Sequence, residues 1–132
     1  MREENMRFGA FIRAKRIKDP RELTLKDISS VLGISGSLLS DIEQGRRRPF
    51  DSERIETFSE YLHLTESDRA RLYDLAARET GEVPSDIEDT MMFSPIGDLA
   101  RHALRLSNEG VVDEDDWREF IRRMEQKRGK QV

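Results

Sequence analysis

Residues 23–50 read LTLKDISSVLGISGSLLSDIEQGRRRPF, and this stretch decides the fold. Thr24 followed by Asp27 has the spacing of a capping box and opens a short helix, Leu25 to Leu32. Leu25, Ile28, Val31 and Leu32 supply its inward face. Gly33 breaks it, because a tight turn calls for left-handed backbone that costs other residues energy. Ser35 caps the next helix, which runs to about Gln44 with Leu39 and Ile42 inward, and Gly45 stops it. Two short helices joined at Gly33-Ile34-Ser35 are expected to cross steeply.

The second of these helices turns Gly36, Ser37, Ser40 and Asp41 outward. A face that small can lie deep in the major groove of DNA. Its N-terminus and serine hydroxyls can meet phosphate. Arg46, Arg47 and Arg48 follow at the far end, where they can clamp the backbone of a polyanion.

Charge agrees with that placement. The chain has 132 residues and a net charge of −4, unevenly spread. Residues 1–50 carry 11 Lys+Arg against 7 Asp+Glu, whereas residues 51–132 carry 12 against 20. Only the front half is basic, which suggests that only the front half meets a polyanion; a chance imbalance of solvated faces is the alternative. Charged residues make up 38% and hydrophobic residues 36%, with the apolar positions spaced periodically as in a folded chain. The absence of cysteine excludes disulfides and thiolate metal sites and fits a reducing cytoplasm. Apolar runs are too short to span a membrane or form a signal-peptide core.

Outward from the central stretch the signals are helical. Phe8, Phe11, Ile12 and Lys15 share a face of a helix from about Arg7 to Ile17. Pro20 makes KDPRE a loop. Pro49 with Asp51 or Ser52 starts a fourth helix with the stripe Ile55, Phe58 and Leu62. Thr65 and Asp68 open a fifth carrying Leu72, Leu75 and Ala76. ETGEVPSD, punctuated by Gly81 and Pro84, is the linker candidate, so the expected division is 1–80 and 81–132. Beyond it lie a short segment with Ile87, Met91 and Met92, then a helix opened by Ser94-Pro95 with Ile96, Leu99, Ala103 and Leu106 on one face. A final helix begins at the acidic DEDD of 113–116, runs through Trp117, Phe120, Ile121 and Met124, and frays in KRGKQV. Met91, Met92, Phe93, Trp117, Phe120 and Ile121 are expected to pack against the front domain and each other; a dimer or partner surface is the alternative.

The stretch LTLKDISSVLGISGSLLSDIEQGRRRP resembles the XRE family, the helix-turn-helix domains of Cro-type and phage-repressor-type regulators. The shared landmarks are Thr24, Ile28, Gly33, Ser35, Ile42-Glu43, Gly45, the basic run and Pro49, and the likeness covers about residues 7–64. It implies an all-α, lambda-repressor-like five-helix DNA-binding domain with a C-terminal helical extension, working as a homodimer on a palindromic operator in double-stranded DNA. By alignment Gly36, Ser37 and Asp41 fall where family members contact bases. Ser40 falls near phosphate, with Ser35 and Arg46–Arg48 as further backbone contacts. Leu25 stands where many members place a phosphate-binding Gln, which leaves that contact to Lys26 or the backbone. Asp41 near DNA must accept from cytosine N4 or repel phosphates, so part of the specificity is expected from DNA shape. Arg16 and Glu43 align with a family ion pair joining the first and third helices; the alternative is two unrelated surface charges.

The chain as a whole, through VPSDI and DEDDWREFIRRMEQKR, is similar to small XRE regulators encoded beside metallopeptidase-like proteins or acting in toxin–antitoxin pairs. That implies a protein partner, a toxin or a metallopeptidase-like protein, on the rear half. His63 and His102 lie far apart without Cys, and the acidic runs lack the glycine and closing Glu of an EF-hand, so no metal or other cofactor is expected. No phosphate loop, nucleophile elbow or metalloprotease motif occurs, and the chain is not expected to be an enzyme. The expectation is a cytoplasmic transcriptional regulator, a repressor, with an antitoxin-like protein-binding module as the rival.

Overall fold

The computed structural model describes residues 6–130, which are all-helical with no strand among them. The chain divides into two compact units, one ending at Ile87 and the other beginning at Glu88.

The first unit holds α1 (Phe8–Lys18), α2 (Leu25–Leu32), α3 (Gly36–Glu43), α4 (Ser52–Tyr61) and α5 (Glu66–Thr80). Local chemistry sets most of these boundaries. Thr24, Ser35, Asp51 and Thr65 each accept the backbone N–H three residues on, which satisfies one of the orphan donors of a helix start. Gly33 and Gly81 close α2 and α5 in left-handed backbone at φ 70° and 71°. Arg7, the N-cap residue of α1, has no capping bond of its own; Glu79 of α5 accepts from the Phe8 N–H at 3.0 Å and from the Arg7 guanidinium. A carboxylate from a distant element thereby sits at the positive end of α1.

Phe8, Phe11, Ile12, Ile28, Leu39, Ile55, Phe58 and Leu72 form the sealed centre of this unit. Phe8 and Phe50 meet edge to face at 5.0 Å. The expected stripes Ile28/Leu32, Leu39/Ile42 and Ile55/Phe58/Leu62 all point into it. Leu25, Val31 and Ala76 are only half-buried, and Ile17 is exposed because it lies across α1 from Phe8 and Ile12. Gly9 lets α1 and α3 touch: a Cβ there would lie 2.0 Å from the Ile42 carbonyl oxygen.

The loop between α1 and α2 is held by Arg21, which donates to Asp19 and to the Tyr61 carbonyl at 2.7 Å and stacks on the Tyr61 ring. Its hydrogen bonds bring the Asp19 carboxyl down to about 2. Between α4 and α5, Glu56 accepts from Arg69 at 2.8 and 2.9 Å and from the Tyr73 hydroxyl. These bonds hold the Glu56 carboxyl below its ordinary range, while burial and the same carboxylate push the Tyr73 phenol up.

The second unit holds α6 (Glu88–Phe93), α7 (Pro95–Asn108) and α8 (Glu114–Lys130). Ser94 caps α7 with Pro95 in its first turn, and Gly97 allows α6 and α7 to close, since a Cβ there would lie 2.2 Å from the Met91 carbonyl oxygen. One expectation fails in part: the apolar side chains of this unit do not close on one another. Ile96 and Leu99 of α7 are 62% and 68% exposed. Met92, Phe93, Phe120 and Ile121 are exposed too, with Met91 and Trp117 half-buried, so this apolar set does not build a core. α8 meets α7 only near Trp117 and Ser107, so the helices of this unit do not cover every apolar side chain they carry. The last helix also continues to Lys130 without fraying; Gln131 and Val132 lie outside the described residues.

Candidate nucleic-acid interface

The α2–turn–α3 element is built from three local devices. The Thr24 hydroxyl accepts from the Asp27 N–H at 3.1 Å while Asp27 accepts from the Thr24 N–H at 2.8 Å, a complete capping box. That exchange holds the Asp27 carboxyl below its usual value. At the turn, Gly33 takes φ 70° and Ile34 donates to the Ser29 carbonyl at 3.1 Å. No atom would touch a Cβ at Gly33, so the glycine answers a backbone demand alone. Ser35 then accepts from the Leu38 N–H at 3.0 Å and starts α3.

The angle between the two helices is fixed from outside the motif. The Arg16 guanidinium reaches across from α1 and grips Glu43 at the end of α3 with two bonds of 2.9 Å. Its remaining arm donates to the Leu23 carbonyl at 3.1 Å, just before α2. Glu43 is buried, so this is a bidentate pair shielded from water, and the bonded carboxylate raises the Arg16 pKa further. Arg54 of α4 donates to the Leu32 carbonyl at 3.0 Å and so holds the C-terminus of α2.

With Leu39 and Ile42 in the core, α3 turns its other side out. Ser37 is exposed; Gly36, Ser40 and Asp41 are half-buried along the same surface. Gly36 has ordinary helical backbone, and no atom lies within 4 Å of where a Cβ would be. The fold itself therefore asks for no glycine at 36. Lys26 stands exposed on α2, and Ser35 is exposed at the start of α3 with its hydroxyl proton still available to donate.

The three arginines are not equivalent. Arg46 turns back on α3: its Nε donates to Asp41 Oδ1 at 3.3 Å, and its other arm donates to Gln44, which in turn donates to Ser40 at 3.0 Å. Asp41, Arg46, Gln44 and Ser40 thus form one chain of hydrogen bonds along the outer face. Arg47 and Arg48 are exposed and make no ion pair among the described residues. They line one surface recess with Pro49, Phe50 and Arg54 and another with Arg7 and Gly45. Sequence reasoning missed Gln44 and assigned Asp41 and Arg46 separate roles. A spacing of five crosses the helix end, where the helical rule of three or four no longer says which side chains meet.

Lys26, Ser35, Gly36, Ser37, Ser40, Asp41 and Arg46–Arg48 all belong to α2, α3 and the segments that enter and leave α3. Arg16 and Glu43 lie on the inner side, where they brace α3. No group of three or more His, Asp or Glu residues among those described is placed to hold a metal ion. No helix among them is long and apolar enough to cross a membrane.

The arrangement defines a class: a small polar helix presented by a Gly turn on a rigid helical base is the reading element of helix-turn-helix proteins. The helix-turn-helix domain family matches residues 7–72, half of the chain, and the protein belongs to that family. This agrees with the XRE-type resemblance in the same residues. The match runs from α1 into α5 and leaves the second unit outside it. Comparison with curated proteins and with solved structures gave no significant match.

Proposed function

We propose that the protein is a sequence-specific DNA-binding transcriptional regulator, a cytoplasmic repressor that blocks polymerase access by placing α3 in the major groove of its operator. One observation carries the reading: α3 keeps a small outer face, with a glycine the fold does not require, beside two exposed arginines without ion-pair partners among the described residues. In this reading Ser37 and Asp41 touch base edges and Gly36 permits close approach. Ser35, Ser40, Lys26 and Arg46–Arg48 hold phosphates. The Asp41–Arg46 pair is exposed, and such pairs contribute about 0–1 kcal/mol, so Arg46 can exchange Asp41 for phosphate at small cost. Residues 1–80 carry the DNA-binding role and 81–132 an accessory one. One such domain covers only a half-site, so two copies act on a palindrome whose halves lie about 34 Å apart.

The open apolar faces of the second unit favour a further reading, an antitoxin-like module whose main ligand is a protein and whose DNA binding is autoregulatory. Fluorescence anisotropy with the chain's own upstream DNA and with a scrambled duplex, across a salt series, tests the main reading. Tighter binding to upstream DNA with a steep salt slope supports it; equal, weak binding to both argues against autoregulation.

A further inference from the structure

The second unit is an open hairpin. Trp117 Nε1 donates to the Ser107 hydroxyl at 2.7 Å, and that hydroxyl donates to the Val112 carbonyl, which fixes the base of α8 against the end of α7. Beyond this base α8 makes no extended packing with α7. Trp117, Phe120, Ile121 and Met124 follow the spacing of one helical face, and Phe120, Ile121 and Met124 are 50%, 51% and 36% exposed.

The charge on α8 is polarised along its length. Its first turn carries Glu114, Asp115 and Asp116, and its last turn carries Lys127, Arg128 and Lys130. Glu114 and Glu119 engage Arg118 and Arg122 within the helix. Asp115, Lys127, Arg128 and Lys130 make no ion pair among the described residues.

From this layout we infer that α8 pairs antiparallel with α8 of a second copy of the chain. Two features select this occupant. A twofold axis beside Phe120–Ile121 sets Trp117 opposite Met124 and Phe120 opposite Ile121, so the apolar stripe covers itself. The same register sets Glu114 opposite Lys127, each about 10 Å from the axis. Asp113 then faces Arg128, and the acidic end of each helix meets the basic end of its partner. A parallel pair would instead put acid against acid and base against base. The interface is isologous, each copy giving and receiving the same contacts, as closed twofold dimers require. Phe93 of α6 and Ile96 and Leu99 of α7 are further exposed apolar area in the same unit. The inference deepens the reading of two copies on one operator and rests on it only for its purpose.

The test uses the full chain in sedimentation velocity over a concentration series. The wild type sediments as a dimer. An acid-reversed variant (Asp113→Lys with Glu114→Lys) and a base-reversed variant (Lys127→Glu with Arg128→Glu) each lose self-association by at least about tenfold, because like charges now face each other. Mixed in equal amounts they recover it, since one copy is then basic and the other acidic at positions 113, 114, 127 and 128 alike. Both reversals oppose the helix dipole, so recovery on mixing reports pairing rather than helix stability. A monomeric wild type overturns the inference, whether α8 folds back on α7 or meets another protein. So do reversed variants that self-associate like the wild type. Upstream DNA separates the two proposals: selective binding by a monomeric chain retains the regulator and removes the α8 pair. A dimer that does not prefer upstream DNA does the reverse.

Discussion

The two units use similar residues to opposite ends. Both use serine, threonine or aspartate caps at most of their helix starts, and both bring two helices together over a glycine whose Cβ would meet backbone, Gly9 in the first and Gly97 in the second. In the first unit five helices surround one centre, and eight large side chains are sealed from water almost completely. In the second, α6 and α7 meet closely while α8 leans on a single hydrogen-bonded base, and Phe93, Ile96, Leu99, Phe120 and Ile121 stay open. A rigid base is what a reading helix needs, because its side chains must meet base edges in one register. An open apolar face is what a surface awaiting another chain provides.

The contrast breaks most sharply at Arg16. Arg16→Ala leaves Glu43 buried without its partner, and the first unit should lose about 3–5 kcal/mol. Urea unfolding followed by the tyrosines, Tyr61 and Tyr73, both in the first unit, reads this loss. Trp117 is the only tryptophan and lies in the second unit, so its emission should stay close to that of the wild type. Replacing both partners with apolar residues of similar size should recover much of the stability.

Gly9→Ala comes next. It forces α1 away from the Ile42 and Glu43 carbonyls and should cost about 3 kcal/mol in the same urea experiment. Gly97→Ala meets equally close backbone, but it sits in a unit with little buried core. It should disturb α6 and α7 locally and leave the tyrosine transition in place. A tyrosine transition that shifts as much for Gly97→Ala as for Gly9→Ala would show that the units fold as one.

On DNA, the arginines distinguish themselves. Arg47→Ala and Arg48→Ala together should reduce the slope of log affinity against log salt by about 2, one for each phosphate no longer neutralised, on all sequences alike. Anisotropy measures it, and an unchanged slope removes these two residues from the interface. In the proposed interface Arg46 would exchange its ion pair with Asp41 for phosphate, so Arg46→Ala should change the slope less.

The smallest effect concerns acid. The Glu56 carboxyl is held low by Arg69 and then by the Tyr73 hydroxyl. A group depressed in the folded state contributes stability above its unfolded value and loses that contribution as pH falls through its folded one. The first unit should therefore weaken on acidification below the ordinary carboxylate range. Glu56→Gln should flatten that part of the pH profile, as read by thermal melts between neutral and acid pH. The carboxylate is 39% exposed, so solvent screens the interaction and keeps the change small.

What the sequence determined by itself is what short-range chemistry determines. Thr24 with Asp27, Gly33, Ser35, Thr65 and Ser94-Pro95 each act within about one helical turn, so helix starts, the central turn and the outward side of α3 were legible in the letters. The XRE likeness added Arg16 and Glu43, which no local rule connects across 27 positions. Tertiary structure alone decided the rest. It brought Glu79 to the start of α1, turned Arg46 back onto Asp41 and pressed Gly9 against α3. It also left the stripes of α7 and α8 uncovered, although periodicity marks them as clearly as those of the core. An apolar stripe states that a face prefers to be covered, and only the packing of the whole chain decides whether its own helices suffice to cover it.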